Sequence, residues 1–346
     1  MSYSLFQYVG LGFMALIIVG LVTPLIRKFA IRINAMDMPS SQHKTHAEPV
    51  PYLGGVAIII GIVVTTYGAI FATALTRENI SLATYVIFPA VAIAVMGLVD
   101  DLQGLAPWPR LITQTITAAI VAITLVSTDA SGVAFGNRFV DITVTILWIV
   151  GICNSINFFD NLDGGATGTV AVISFFIFFI AFDRGQLLVS ALSIVMAGST
   201  LGFLIWNKSP AKIYMGDAGA LFLGILVSVL TIRVSPGIKP NFLSLSIPVL
   251  LIAVPILDTC VAVTSRLNNN ISPFTGGRDH LSHRLIRKGL SRKKAAITLW
   301  SLSGLFGVMA CSIYRWPDSL GFSLITVASV IWGTLFVFFI KIPRAD

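Results

Sequence analysis

The stretch Asn154 to Gly168, NSINFFDNLDGGATG, concentrates carboxamide and carboxylate side chains in a chain that is otherwise strongly apolar. Four of these side chains follow a spacing of three residues: Asn154, Asn157, Asp160 and Asp163. Residues three apart are neighbours on a helix surface, so the four would drift slowly around one side of a helix end. Such a cluster is costly in apolar surroundings unless it binds something. We therefore interpret it as a binding site.

Carboxylates occur at three other places near predicted helix ends. Asp100 and Asp101 in GLVDDLQGL would repel each other unless a cation or hydrogen-bond donors compensate, although a helix end that reaches water is the simpler alternative. Asp217 in YMGDAGALFLG either caps the following helix or helps to bind a metal or a phosphate. Asp258 lies inside an apolar segment, where it either has a function or pairs with a loop arginine such as Arg266. The sequence leaves these alternatives open.

The richest basic stretch is GGRDHLSHRLIRKGLSRKKA, in which His280, His283 and Arg284 would share one face of a short helix. Zinc fits poorly, because only two histidines and no nearby cysteine are available. A topology anchor would explain the lysines and arginines, whereas a phosphate clamp would also explain the histidines. The earlier loop DMPSSQHKTHAEPVPYLGG adds Lys44 and His46, for which a solvated loop is the alternative.

Membrane helices must position these side chains, because the 346-residue chain is 56% hydrophobic and only 11% charged, with a mean hydropathy of +0.90. Those values lie far outside the balance of a soluble domain. We count eleven apolar segments near the length of about 20 residues that a bilayer requires. One of them runs without interruption from Ser244 to Val263. The sequence predicts an all-α polytopic membrane protein of about eleven transmembrane helices, with residues 1–346 forming a single domain.

Lysine and arginine are concentrated in alternate connections, which predicts an N-terminus outside and a C-terminus in the cytoplasm. The first segment has basic residues after it and none before it, so we expect a retained anchor and not a cleaved signal peptide. The acidic clusters and all four histidines then share the cytoplasmic side. The net charge of +8 suits anionic lipids and phosphorylated substrates there, and no nucleic acid is expected as a partner.

The combination of side chains on this face indicates a reaction class. Carboxylates and carboxamides suit a hard cation such as Mg²⁺, while histidines and arginines suit phosphates. The site therefore predicts phosphoryl transfer between a soluble, phosphate-linked donor and a lipid acceptor. A secondary transporter is the main rival, but its ionisable residues would be expected near the bilayer midplane, between repeated halves. The polar sites here cluster at one face, and we find no such repeat.

Five motifs resemble, in sequence and order, those of the polyprenyl-phosphate N-acetylhexosamine-1-phosphate transferase superfamily, whose bacterial members include MraY and WecA. They are HKTHAEPVPYLGG, DDLQGL, NSINFFDNLDG, MGDAG and RDHLSHRL. The resemblance implies an all-α membrane fold that transfers a sugar 1-phosphate from a UDP-sugar to polyprenyl (undecaprenyl) phosphate and releases UMP. It implies Mg²⁺ as the cofactor, for which Mn²⁺ could substitute. It also implies the first membrane step of a cell-envelope glycan pathway, at the cytoplasmic face of the bacterial inner membrane, and it leaves a homodimer open.

The same resemblance implies roles for individual residues. It implies a metal site at Asn157 and Asp217. It implies catalytic roles for four aspartates: Asp100, Asp101, Asp160 and Asp163. It implies substrate binding by six further residues: Lys44, His46, Asn154, His280, His283 and Arg284.

Two departures from the family pattern narrow the expectation. Gly104 stands where MraY members carry a lysine, and Ser282 stands where many relatives have another histidine. They favour the WecA-like branch, using UDP-GlcNAc or a close relative, over an MraY-type phospho-MurNAc-pentapeptide transferase. A cation for the lipid phosphate must then come from elsewhere in the chain. Because a phosphate monoester has a second pKa of about 6 and is mostly dianionic near neutral pH, we expect direct displacement without a covalent aspartyl intermediate.

Overall fold

The computed structural model describes residues 3–37, 49–73, 77–130, 135–273 and 275–343. Within these ranges the chain forms α-helices and one short pair of strands. The helices are α1 (Leu5–Arg32), α2 (Gly54–Thr73), α3 (Arg77–Gln103), α4 (Pro107–Ser127), α5 (Arg138–Phe159), α6 (Gly165–Asp183), α7 (Leu187–Asn207), α8 (Gly216–Arg233), α9 (Asn241–Leu251), α10 (Ala253–Asn268), α11 (Leu281–Arg287), α12 (Arg292–Arg315) and α13 (Pro317–Ile340). The strands β1 (Met36–Asp37) and β2 (Val50–Pro51) pair antiparallel.

Most of these helices have the length and composition of membrane spans. In the described part of the chain, ten single helices are long and apolar enough to cross a membrane. The bent pair α9 and α10 satisfies the same criterion together, which raises the number to as many as eleven. The predicted all-α polytopic membrane fold of about eleven spans is confirmed. The orientation of the termini stays a prediction.

The apolar segment from Ser244 to Val263 is not the single helix that the sequence predicts. α9 and α10 are separated at Ile252, and their axes differ by 69°. Pro255 gives the physical reason, because it has no amide hydrogen to donate to the carbonyl of Leu251 four residues earlier. The axis of α10 is therefore not a continuation of the axis of α9.

The central helix is α8, which is apolar on all sides and buried along nearly its whole length. It packs against α2, α3, α5 and α6, as expected for a helix that is hydrophobic all round. The backbones of α2 and α8 meet at two glycines. A Cβ on Gly55 would overlap the backbone of Gly219, and the Gly55 amide donates to the carbonyl of Met215 at 2.8 Å. This close approach fixes the first turn of α8.

Candidate active site

A cavity of about 460 Å³ opens at the end of the bundle where α3 and α5 end and α6 and α8 begin. Its walls bring together residues that are far apart in the sequence. They are Asp37, Tyr52, Asp101, Asn157, Phe158, Asp160, Asn161, Leu162, Asp163, Asn207, Tyr214, Gly216, Asp217, Gly276, Gly277, His280 and His283. The cavity thus gathers seven of the predicted site residues: Asp101, Asn157, Asp160, Asp163, Asp217, His280 and His283.

Asp217 lies in the first turn of α8, and its two carboxylate oxygens have different partners. Oδ1 accepts a hydrogen bond from Asn157 Nδ2 at 2.8 Å, and Oδ2 accepts one from Arg110 Nη1 at 2.9 Å. The two residues predicted to hold a metal are therefore in direct contact. The alternative role of Asp217 as a helix cap is not observed, because Met215 is the N-cap residue and makes no side-chain cap bond.

Asp101 supplies the acceptor that the N-terminus of α8 needs. Its Oδ1 accepts from the Asp217 amide at 2.8 Å, and its Oδ2 accepts from the Ala218 amide at 3.1 Å. Gly216 makes this contact possible, since its φ is +69° and a Cβ there would lie 2.6 Å from Asp101 Oδ2. Free amides at a helix N-terminus are stabilised by a negative charge. Asp101 therefore joins α3 to α8.

Arg110 is a site residue that the sequence analysis above does not identify. Its Nη1 lies 3.0 Å from Asp100 Oδ2 as well as 2.9 Å from Asp217 Oδ2, so one guanidinium bridges two carboxylates. The other oxygen of Asp100 accepts from the Leu105 amide at 2.7 Å. Gly104 stands where MraY members carry a lysine, and this departure in the sequence indicated that another cationic side chain must lie near the aspartate pair.

Asp160 and Asp163 lie between α5 and α6 and face the cavity together. Burial is the main cause that raises the pKa of Asp160 to about 8, and the negative charges of Asp217, Asp101 and Asp163 contribute to the same rise. Asp163 accepts from the Ala211 amide at 3.2 Å, and Arg292 Nη1 lies 4.0 Å from it. The cavity therefore holds an excess of carboxylates that favours binding of a cation.

Asn154 is not among the residues that line this cavity. Its Nδ2 donates to Gln114 Oε1 on α4 at 2.7 Å and to the Val150 carbonyl at 2.8 Å. Three residues along a helix correspond to about 300° of rotation, so Asn154 and Asn157 diverge by roughly 60° around α5. The spacing of three therefore places Asn157 against α8 and Asn154 against α4. Substrate binding by Asn154 remains a prediction that these contacts do not favour.

His280 and His283 line the cavity beside Phe158, and Ser282 between them donates to Asn161 Oδ1. The ring centroids of the two histidines are 6.3 Å apart. Burial is the main cause that lowers the pKa of His283 to about 4. His283 is therefore neutral near pH 7 and offers hydrogen bonds in place of a positive charge.

Arg284 points away from the cavity that its neighbours line. Its side chain is buried, with Nη1 donating to the carbonyls of Phe339 and Ile342 and Nε donating to the carbonyl of Asp279 at 2.8 Å. Cations near a helix C-terminus stabilise its free carbonyls. These contacts favour a role in holding the end of α13 against α11, and a phosphate contact by Arg284 remains a prediction.

Lys44 and His46 lie outside the described residues, so their predicted role in substrate binding stays a prediction. The strands β1 and β2 flank that segment and bring Asp37 and Tyr52 to the cavity.

The residues of the cavity fit a Mg²⁺ ion that the protein and the substrate coordinate together. Among the described residues, no group of three or more His, Cys, Asp or Glu side chains forms a complete metal site. Mg²⁺ in phosphoryl-transfer sites is commonly bound by one or two carboxylates, with substrate phosphates and water completing the shell. Asp217 and Asn157 can supply that number of oxygen ligands, provided that the Asn157 amide turns its oxygen toward the ion.

A family model matches the central part of this chain, and individual known proteins are similar to it over nearly its whole length. The model of glycosyl transferase family 4 matches residues 83–235. A protein of Bacillus subtilis (strain 168), named probable undecaprenyl-phosphate N-acetylglucosaminyl 1-phosphate transferase, is 32% identical over 335 residues. That match covers 95% of this chain and 87% of the relative.

Two further relatives differ in the sugar that their names specify. The decaprenyl-phosphate N-acetylglucosaminephosphotransferase of Mycolicibacterium smegmatis is 31% identical, over 87% of this chain and 80% of its own. The phospho-N-acetylmuramoyl-pentapeptide-transferase of Staphylococcus carnosus is 27% identical, over 85% of this chain and 94% of its own.

Proposed function

This chain belongs to glycosyl transferase family 4, and we propose on that premise that it transfers GlcNAc 1-phosphate from UDP-GlcNAc to polyprenyl phosphate. A phosphate oxygen of the acceptor bonds to the phosphorus that carries the sugar. The bond from that phosphorus to the UMP oxygen breaks, which yields polyprenyl-diphosphate-GlcNAc and UMP. The observation that carries the proposal is the 32% identity, over 95% of this chain, with a relative named for this transfer.

GlcNAc is favoured over MurNAc-pentapeptide by two independent observations. Relatives named for N-acetylglucosamine reach 31–32% identity, whereas the muramoyl-pentapeptide transferase of Staphylococcus carnosus reaches 27%. The motif around Gly104 also departs from the MraY pattern. Phospho-MurNAc-pentapeptide transfer is therefore the second candidate.

We assign a metal site to Asn157 and Asp217, which meet at 2.8 Å on the wall of the cavity. Mg²⁺ or Mn²⁺ bound there would neutralise the diphosphate of the donor and so favour departure of UMP. Asp160 and Asp163 would hold the surrounding cations and donor groups. His283, being neutral, would position an uncharged donor group through a hydrogen bond.

The contacts of Asp100 and Asp101 support direct displacement. Each oxygen of Asp101 accepts a backbone amide of α8, and the oxygens of Asp100 accept from Leu105 and Arg110. A hydrogen bond to a carboxylate oxygen stabilises its charge and weakens it as a nucleophile. The acceptor phosphate carries its own negative charge at neutral pH and needs no protein nucleophile. In this proposal Arg110 supplies the cation that the acceptor phosphate requires.

The cavity end of the bundle would face the cytoplasm, because the basic loops of the chain cluster at that end. We place the protein in the bacterial inner membrane, in the first membrane step of a cell-envelope glycan pathway. Anionic lipids around this face are a further expectation from the sequence, and a homodimer stays open.

The decisive experiment uses the purified full-length protein in nanodiscs with undecaprenyl phosphate, Mg²⁺ and UDP-GlcNAc. UMP should form in equal amount to a lipid-linked GlcNAc diphosphate, and omission of lipid or of Mg²⁺ should abolish both. Parallel reactions with UDP-MurNAc-pentapeptide compare the second candidate. A secondary transporter would release no UMP in any of these reactions. Preference for the pentapeptide donor would overturn the GlcNAc assignment while retaining the family.

A further inference from the structure

Asp258 is a fully buried carboxylate whose role none of the site residues above explains. Its exposed fraction is 0%, and it lies in α10, six residues after the break at Ile252. Oδ1 accepts from the Leu281 amide at 2.7 Å, and Oδ2 lies 2.7 Å from His280 Nδ1. Arg266, the partner that the sequence suggested for Asp258, pairs instead with Asp279 at 2.7 Å. The partners of Asp258 are thus the residues at the start of α11.

The neighbours of His280 determine its tautomer. Arg266 Nη2 lies 3.1 Å from His280 Nε2, and a guanidinium can only donate hydrogen bonds. His280 Nε2 must therefore accept, which places the hydrogen on Nδ1, where Asp258 accepts it. A protonated ring would set two donors against each other at Nε2. His280 is neutral in this arrangement, and both of its nitrogens bond within the protein.

The charge of Arg266 is balanced separately. Its Nε and Nη2 donate to the two oxygens of Asp279 at 2.7 and 2.8 Å. Burial alone would raise the pKa of Asp279, but the hydrogen bonds and charge of Arg266 hold it below its usual value. Arg266 is therefore held by Asp279 while it donates to His280, and the whole network is fixed inside the protein.

We propose that Asp258 is a positioning residue that acts through His280, an inference that rests on the transferase function proposed above. It fixes the His280 tautomer and the first residue of α11, and so sets the place of His283, which faces the cavity two residues after Leu281. His280 itself contributes a ring wall beside Phe158, with centroids 6.2 Å apart, and not a phosphate ligand. Removal of such a supporting group from metal-bound histidines costs about 10-fold to 100-fold in activity or affinity, and a loss of this order is expected here.

The first test measures the wild-type protein and uses variants only to assign the signals. The chain contains only four histidines, so selective ¹⁵N labelling gives a spectrum that can be assigned by replacing each one. We expect His280 to be neutral and protonated on Nδ1 at pH 7. A wild-type His280 protonated on Nε2, or charged, would overturn the proposal even if the protein proves to be an active transferase. Conversely, an Nδ1-protonated His280 in a protein that releases no UMP would remove the proposed function and leave the tautomer assignment standing.

The second test asks whether Asp258 works through His280. Asp258→Ala should lower kcat/KM for UDP-GlcNAc by about 10-fold to 100-fold and disperse the His280 signal. In a His280→Ala background the same change should cost clearly less than in the wild type, since the bond to His280 is already lost and only the bond to the Leu281 amide remains. Multiplicative losses in the double variant would overturn the proposal. Asp141→Ala is the matched control, because Asp141 is also buried and accepts a backbone amide, from Phe135 at 2.7 Å, at the opposite end of the bundle.

Discussion

At the residue scale, Asp217 is the side chain on which the proposed metal site most directly depends. Asp217→Asn should lower turnover by about 100-fold or more, as when a group that stabilises developing charge is removed. It should leave the fold intact, because Asp101 and not Asp217 binds the free amides of α8. Binding of Mn²⁺, followed by electron paramagnetic resonance, should weaken in parallel. Wild-type turnover at saturating Mg²⁺ would remove Asp217 from the metal site.

Arg110 should set how tightly the cavity binds a divalent cation. Its guanidinium shares Asp217 Oδ2 with any incoming metal and adds a positive charge nearby. Arg110→Gln should therefore lower the Mg²⁺ concentration for half-maximal thermal stabilisation by about tenfold. This change is small compared with the repulsion of roughly 4 kcal/mol between two unit positive charges 4 Å apart near a protein surface. Turnover should fall, since the acceptor phosphate loses its cation.

Two controls make the Arg110 experiment specific. Arg110→Lys retains the charge and should keep Mg²⁺ affinity near the wild-type value. Arg138→Gln removes an arginine that bonds Ser127 at the other end of the bundle and should change neither property. An unchanged Mg²⁺ response in Arg110→Gln would mean that the guanidinium and the metal do not meet.

Asp160 should make the stability of the metal-free protein depend on pH. Its pKa rises from 3.8 to about 8 on folding, so between those values the folded protein binds more protons than the unfolded chain. Stability is therefore lost as pH rises through this window. In EDTA, Asp160→Asn should raise the Tm relative to wild type, by several degrees at pH 8 and by less at pH 5. An equal gain at both pH values would show that Asp160 is ionised throughout, and Mg²⁺ should shrink the gain at pH 8.

The sequence allows the kinds of side chain in the site to be predicted more readily than their partners. Asn157 and Asp217 were paired by the family resemblance, and the structure shows them in contact at 2.8 Å, while their role at a metal stays a prediction. Arg110 was missed because its two partners are set by how α3, α4 and α8 pack, which no local spacing encodes. Arg284 shares a helix face with His280 on a helical wheel, yet its long side chain reaches back to the carbonyls that end α13. Long side chains make spacing a weak guide to contacts.

At the element scale, the contact between α2 and α8 determines where Asp217 stands. Gly55→Ala would place a methyl group into the backbone of Gly219, so α2 must move away from the first turn of α8. Overpacking of this kind costs about 1–3 kcal/mol. We expect a lower Tm together with weaker Mg²⁺ stabilisation, measured on the same samples.

Gly68→Ala is the matched control for Gly55→Ala, because it lies in the same helix and a Cβ there meets nothing within 4 Å. It should leave Mg²⁺ stabilisation unchanged and can raise stability slightly through helix propensity. If both variants behaved alike, the backbone contact at Gly55 would have no part in positioning the site.

Hydropathy predicts which segments form helices, but it does not predict where a helix is interrupted. The run from Ser244 to Val263 is apolar throughout, so length and composition alone predict one span. The bend of 69° depends on Pro255 and on how α9 and α10 each pack against neighbouring helices. Prolines also occur inside helices here that are not divided, such as Pro24 in α1 and Pro89 in α3, so the residue type does not locate a break by itself.

At the scale of the whole molecule, the cavity has chemical meaning only if it faces the compartment that holds the nucleotide sugar. Consecutive spans must cross a membrane in opposite directions, so a single assignment of sidedness fixes every loop. The basic loops predict that the turn between α11 and α12 is cytoplasmic and that the start of α5 is outside. Both places expose a basic side chain, at Lys288 and at Arg138.

Single cysteines at these two positions test the orientation directly. The three native cysteines, Cys153, Cys260 and Cys311, would first be replaced by alanine. In intact spheroplasts, a membrane-impermeant maleimide should label Arg138→Cys and leave Lys288→Cys unlabelled, and permeabilisation should make both react. Each variant must retain UMP release from UDP-GlcNAc, which ensures that the labelled population is the active one. Labelling of Lys288→Cys in sealed spheroplasts would show that the cavity faces outward, away from UDP-GlcNAc. The proposed active site would then have no access to its donor.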